Sequence, residues 1–114
     1  MLNQSTSLDL AFQALADPAR RAMLERLSRG PASVSELAQP LQMSMPAVLQ
    51  HLAVLEQAGL ASSRKVGRVR SCELGAARLD EVQNWLKARR AEWEARFDRL
   101  AAYLNETKEG DQHG

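Results

Sequence analysis

The chain has 114 residues, 45% hydrophobic, 25% charged and only 4% aromatic. That allows one domain with a core of Leu, Val, Ala and Met, and excludes a second domain, a membrane protein and a disordered chain. The formal net charge of +1 is too mild to establish a polyanionic partner by itself, so its distribution must decide.

In chain order, Met1–Ser7 has neither a basic n-region nor an apolar stretch and resembles no secretory signal. No later apolar run nears the ~20 residues that span a membrane, so the expected location is the cytoplasm, with no membrane partner. Leu8, Phe12 and Leu15 predict a short amphipathic helix over 8–16. Asp17-Pro18 joins a good N-cap to a proline at the first helical position, where the missing N–H costs nothing, and starts the next helix. Ala22, Met23, Leu24 and Leu27 give that helix its apolar stripe, and Gly30-Pro31 ends it.

Ser33-Val34-Ser35-Glu36 fits a capping box. The helix it opens carries Val34, Leu37, Ala38 and Leu41 and yields near Gln42-Met43. Ser44 is the next N-cap, heading a helix whose Val48, Leu52 and Leu55 recur at i, i+4, i+7 until Gly59 closes it. Short helices with a connection of three or four residues outline a helix-turn-helix over 33–58, inside a helical core spanning 17–59.

From Leu60 to Leu74 the period becomes two, which predicts a hairpin over 60–74 turning at Val66-Gly67-Arg68. Beyond Gly75, residues 79–106 contain no Gly or Pro and carry Leu79, Val82, Leu86, Trp93, Phe97, Leu100 and Leu104 at helical steps. Such a helix extends for about 40 Å, more than so small a domain can cover, so its apolar face is expected to meet a second subunit. Leu8, Phe12 and Leu15 are its companions in that interface. Glu109–Gly114 reads as a frayed polar tail. The expected fold is therefore mostly α with a small β-hairpin: a winged helix-turn-helix, homodimeric through its N- and C-terminal helices.

The helix after Ser44 is the candidate reader of a DNA major groove, with Met45, Pro46, Ala47, Leu49 and Gln50 off its core stripe. Gln50 can bond bidentately to an adenine edge, His51 can donate to a phosphate or base, and the Ser44 hydroxyl with the free N–H groups of the first turn suits a phosphate. In the hairpin Arg64, Lys65, Arg68 and Arg70 face one acid, Glu73, a local charge of +3 on a projecting loop suited to tracking phosphates. The plainer alternatives are a surface helix with a satisfied histidine and a solvated turn.

The order Leu15-Ala16-Asp17-Pro18-Ala19-Arg20-Arg21, Ser33-Val34-Ser35-Glu36-Leu37-Ala38, Ser44-Met45-Pro46-Ala47-Val48, His51-Leu52-Ala53-Val54-Leu55 and Ala58-Gly59-Leu60 resembles the ArsR/SmtB repressors. The likeness is close over residues 8–75 and extends to the family's long dimerisation helix. It implies a two-fold dimer whose recognition helices enter successive major grooves of an imperfect palindrome. Two departures stand out: Leu49 replaces a serine common in the family, and Ser71-Cys72 replaces aromatic residues of the wing.

The family's metal ligands are Cys pairs near the recognition helix, or Asp, His and Glu along the last helix. Here the histidines are His51 and His113, and Cys72 is alone, so no metal and no cofactor are expected. A single cysteine also excludes a disulfide framework. Cys72 is the one redox candidate, since Arg70 on the same strand face would favour its thiolate; a small packed hydrophobe is the alternative. Trp85 and Trp93 suit interface packing, or a pocket for an unidentified small-molecule effector. A protein-interaction adaptor built on the same dimer is the alternative function. The absence of a phosphate loop and of a nucleophile motif argues against an enzyme.

Overall fold

The computed structural model describes the backbone of residues 4–113 and the side chains of residues 6–107. Its elements are α1 (Gln4–Leu15), α2 (Pro18–Leu27), β1 (Ala32–Ser33), α3 (Val34–Ala38), a 3-10 turn at Gln39–Leu41, α4 (Met45–Gln57), β2 (Ala61–Val66), β3 (Val69–Leu74) and α5 (Ala76–His113). Among the described residues no helix is long and apolar enough to cross a membrane.

The helix starts follow the local chemistry of the sequence. Asp17 accepts from the N–H groups of Ala19 and Arg20 at 2.8 and 3.2 Å. Ser33 and Glu36 form the reciprocal capping box, at 3.1 and 3.2 Å. Ser44 Oγ accepts from Ala47 N–H at 3.3 Å. Each of these side chains satisfies donors that a helix start leaves orphaned.

Other boundaries differ from those the sequence suggests. α1 begins at Gln4, and α2 stops at Leu27, ahead of Gly30-Pro31. Leu41 lies in the 3-10 turn after α3, and the turn is completed by Gln42 in the left-handed region at φ 52°. α5 starts at Ala76 and continues to His113, through the stretch read as a frayed tail; Gly114 lies outside the described residues. The sheet has three antiparallel strands in the order β1-β3-β2, with Ala32 opposite Cys72 and Ser33 opposite Ser71. A two-residue strand is too short to show a period, so β1 is invisible until β3 exists to pair with it.

Two compact units divide the chain, Met1–Val82 and Gln83–Gly114. The first holds the core: Ala11 and Ala14 of α1, Met23, Leu24 and Leu27 of α2, Leu37 of α3, Val48, Leu52 and Leu55 of α4, and Leu60, Ala61 and Cys72 around the sheet. Truncating a buried leucine such as Leu52 costs about 2–5 kcal/mol in sites of this kind. The junction after the sheet depends on glycine. An added Cβ at Gly75 would collide with the Gly59 carbonyl, while the Gly75 N–H donates to Leu60 O at 2.7 Å. The second unit is a stretch of the single helix α5, and from 83 to 107 every residue is exposed.

Candidate nucleic-acid interface

α4 is amphipathic in a way that separates packing from presentation. Val48, Leu52 and Leu55 are buried. Pro46, Leu49, Gln50, Ala53 and Gln57, spaced i, i+3, i+4, i+7 and i+11, form one exposed face. Ala53 and Gln57 were missed as members of this face, although helical spacing alone could have found them. Ser44 and Met45 are exposed at the helix start, and Ala47 is half-buried. Pro46 sits in the first turn, where a missing N–H leaves nothing unsatisfied.

The hairpin of β2 and β3 closes with Val66 opposite Val69 and a two-residue turn, Gly67-Arg68. Gly67 has φ +65° and Arg68 has no positive φ, the pattern of a turn in which only the first central residue is left-handed. Lys65 stands directly opposite Arg70, so two cations share one cross-strand pair, an arrangement that destabilises a sheet unless an anion is near. Arg70 is drawn aside: its Nε donates to Ser63 Oγ at 2.8 Å and its guanidinium lies 3.5 Å from the Glu56 carboxylate of α4. Arg64 lies 3.6 Å from Glu73. Among the described residues no ion pair engages Lys65 or Arg68, and Arg64, Lys65, Arg68 and Arg70 are all exposed.

His51 is placed differently from the rest of α4's polar residues. Its ring is half-buried on the flank of the apolar stripe, and its Nδ1 lies 3.2 Å from Nη1 of Arg20. Arginine cannot accept, so the neutral ring accepts through Nδ1 and carries its proton on Nε2. At the other end of α4, Arg78 Nε donates to Ala58 O at 3.0 Å while its Nη1 meets Glu81 at 2.6 Å. Neither Arg20 nor Arg78 was legible as part of the site, because each reaches its partner across a long stretch of chain.

Cys72 is not an activated thiol. It is fully buried opposite Ser63 and Ala32. Burial pushes its pKa above the ordinary thiol range and the Glu56 carboxylate pushes it further, while Arg70, paired with that carboxylate, opposes only in part. The expectation of an Arg70-stabilised thiolate fails for that reason. Among the described residues, no three His, Cys, Asp or Glu side chains gather closely enough to hold a metal ion.

The residues assigned to a dimer interface divide. Val82, only 6% exposed, belongs to the core of its own protomer, and Leu8, Leu15 and Leu79 are half-buried against that core. Phe12 is exposed on α1, and Leu86, Trp93, Phe97, Leu100 and Leu104 are all more than half exposed. Trp93 packs on Phe97 with ring centroids 6.3 Å apart, and the Arg89 guanidinium lies 5.2 Å from the Trp85 ring.

A sequence family described as a helix-turn-helix domain matches residues 15–64. The HTH-type transcriptional regulator Rv2034 of Mycobacterium tuberculosis is 47% identical over 87 residues, covering 72% of this chain and 81% of the relative. The transcriptional repressor SdpR of Bacillus subtilis is 31% identical over 75 residues, 66% of this chain and 83% of the relative. Among solved structures, that of an ArsR family transcriptional regulator superposes with a TM-score of 0.75 at 46% identity, covering 82% of this chain and 97% of the other. With the capped helix pair, the exposed face of α4 and the basic hairpin in place, the chain belongs to the ArsR family of winged helix-turn-helix proteins and is a DNA-binding transcriptional repressor, not an enzyme.

Proposed function

We propose that the protein works in the cytoplasm as a homodimer that reads a palindromic operator, with α4 in the major groove and the β2–β3 wing on the adjoining backbone. The observation that carries this reading is the exposed basic wing, whose Lys65 and Arg68 engage no ion pair among the described residues, in one chain with a helix-turn-helix whose α4 exposes Pro46, Leu49 and Gln50. Exposed cations on a projecting hairpin without an acidic partner suit an anion outside the fold. Pro46, Leu49 and Gln50 meet base edges, with Gln50 suited to adenine and Leu49 to thymine methyls or the sugar backbone. Ser44, with Met45 and Ala47 of the first turn, meets phosphate through its hydroxyl and the free N–H groups. Arg64, Lys65, Arg68 and Arg70 serve the backbone. His51, its Nδ1 engaged, has only Nε2–H to offer.

Dimerisation is supported by the apolar stripe Leu86, Trp93, Phe97, Leu100 and Leu104, which a lone chain leaves in water. For a small-molecule effector, a candidate place is the open apolar groove of about 310 Å³ lined by Leu15, Leu24, Leu74 and Leu79 and rimmed by Arg21 and Glu25. Footprinting on the DNA upstream of the coding sequence tests the reading. Protection of an inverted repeat is expected; uniform protection without sequence preference overturns it. Arg68→Ala should weaken binding to every duplex by about fivefold, whereas Gln50→Ala should change which base is preferred at one position of each half-site.

A further inference from the structure

We propose that Arg20 is a positioning residue for DNA reading: through His51 it fixes the angle at which α4 presents its exposed face, and it ties that angle to the end of α1. The proposal rests on α4 being the recognition helix, and it concerns a residue that touches no nucleic acid in that reading.

The core stripe of α4 is purely aliphatic. Packing of Val48, Leu52 and Leu55 sets how deeply the helix sits, but apolar attraction is non-directional and resists a roll about the helix axis weakly. A roll of about 10° moves side chains at a radius of ~5–6 Å by about 1 Å, enough to spoil a bidentate base contact. Directional contacts must therefore hold the angle, and His51, on the flank of the stripe, has one.

The Arg20 fork makes that contact rigid. Nη1 meets His51 Nδ1 at 3.2 Å, Nε donates to Ala14 O at 2.7 Å, and Nη2 donates to Gln13 O at 3.1 Å. The two carbonyls belong to the last turn of α1, where Gln13 O also takes the Ala16 N–H at 3.2 Å, and that turn carries the negative end of the helix dipole. One planar group with fixed donor directions thus spans α1 and α4 while its own backbone N–H is held by the Asp17 carboxylate at 3.2 Å. The Asp17 pKa is lowered mainly by that bond and by the Ala19 N–H, with the Arg20 charge adding to it, so an anion sits beside the junction.

The test uses the full-length protein and the duplex that the wild type itself enriches from a random-sequence pool, beside a scrambled duplex of equal composition. Arg20→Met should weaken binding to the enriched duplex by about tenfold and leave binding to the scrambled duplex unchanged, and His51→Phe should lose at least as much on the enriched duplex. His51→Asn, whose amide oxygen takes the place of Nδ1, should keep more of that affinity than His51→Phe, and Arg20→Met with His51→Phe should lose no more than His51→Phe alone. A residue that merely stabilises the fold would lower both affinities together, and that result overturns the proposal, as does full retention of selective binding. Should Arg20→Met fail to fold, Arg20→Lys, which keeps the charge but not the planar fork, decides on the same two duplexes. Wild-type protein that enriches no sequence overturns the recognition-helix reading and this proposal with it; a selected site that all variants bind equally overturns only the proposal.

Discussion

The two units of the chain satisfy the same apolar pattern in opposite ways. Residues up to Val82 bury their aliphatic side chains against one another, and the first turns of α5 share in this through Leu79 and Val82. From Gln83 onward the helical repeat of large apolar residues continues, yet Leu86, Trp93, Phe97, Leu100, Tyr103 and Leu104 are all more than half exposed. An amphipathic repeat therefore says that a face will be covered, but only the folded chain says whether its own residues cover it. Where they do not, a second copy is the occupant we propose.

The comparison breaks most visibly if the exposed stripe is made polar. Phe97→Glu with Leu100→Glu should convert a dimer to a monomer at micromolar concentration, read by sedimentation, and weaken operator binding by about a hundredfold or more as the two half-sites lose their linkage. A double variant that stays dimeric would show that the stripe is not the interface. A disturbance of the first unit should act on stability instead. Gly75→Ala drives a methyl group into the Gly59 carbonyl, and an expected loss of about 2 kcal/mol or more should appear in denaturant unfolding.

The smallest effect concerns pH and again separates the units. The Asp17 and Glu36 carboxyls are held below their ordinary pKa values, chiefly by backbone N–H groups of Arg20 and Ser33. A depressed folded-state pKa contributes stability that is fully present above the unfolded values of about 4 and is lost as pH falls through the folded ones. The melting temperature should therefore drop on acidification below about pH 5, and less steeply in Asp17→Asn with Glu36→Gln. Asparagine caps a helix as well as aspartate does, so the neutral-pH melting temperature should barely move. The exposed pairs Arg89–Glu92 and Arg90–Glu94 of the second unit, screened by solvent, should add little to stability.

What the sequence revealed is what is local in the chain. Asp17, Ser33 and Ser44 announce helix starts because a cap is a bond within three residues, and Gly67 announces a turn because its backbone must be left-handed there. The alternation in β2 and β3 shows for the same reason. What stayed hidden depends on partners brought together by folding: β1 on Ser71 and Cys72, the Arg20–His51 contact across 31 positions, and the Arg70–Glu56 pair that removes the basis for a reactive Cys72. Val82 belongs to the same class, since its periodicity is identical whether the neighbour is its own core or another subunit.

The Arg70–Glu56 and Arg64–Glu73 pairs give ionic strength one sign throughout the wing. Mobile ions screen both pairs, so added salt should loosen the hairpin of the free repressor slightly and speed amide exchange there. The same ions compete for the phosphates that would otherwise lie against Lys65 and Arg68, so binding should weaken over the same range. The free protein is thus expected to be most settled at its wing under the dilute conditions in which it grips DNA hardest.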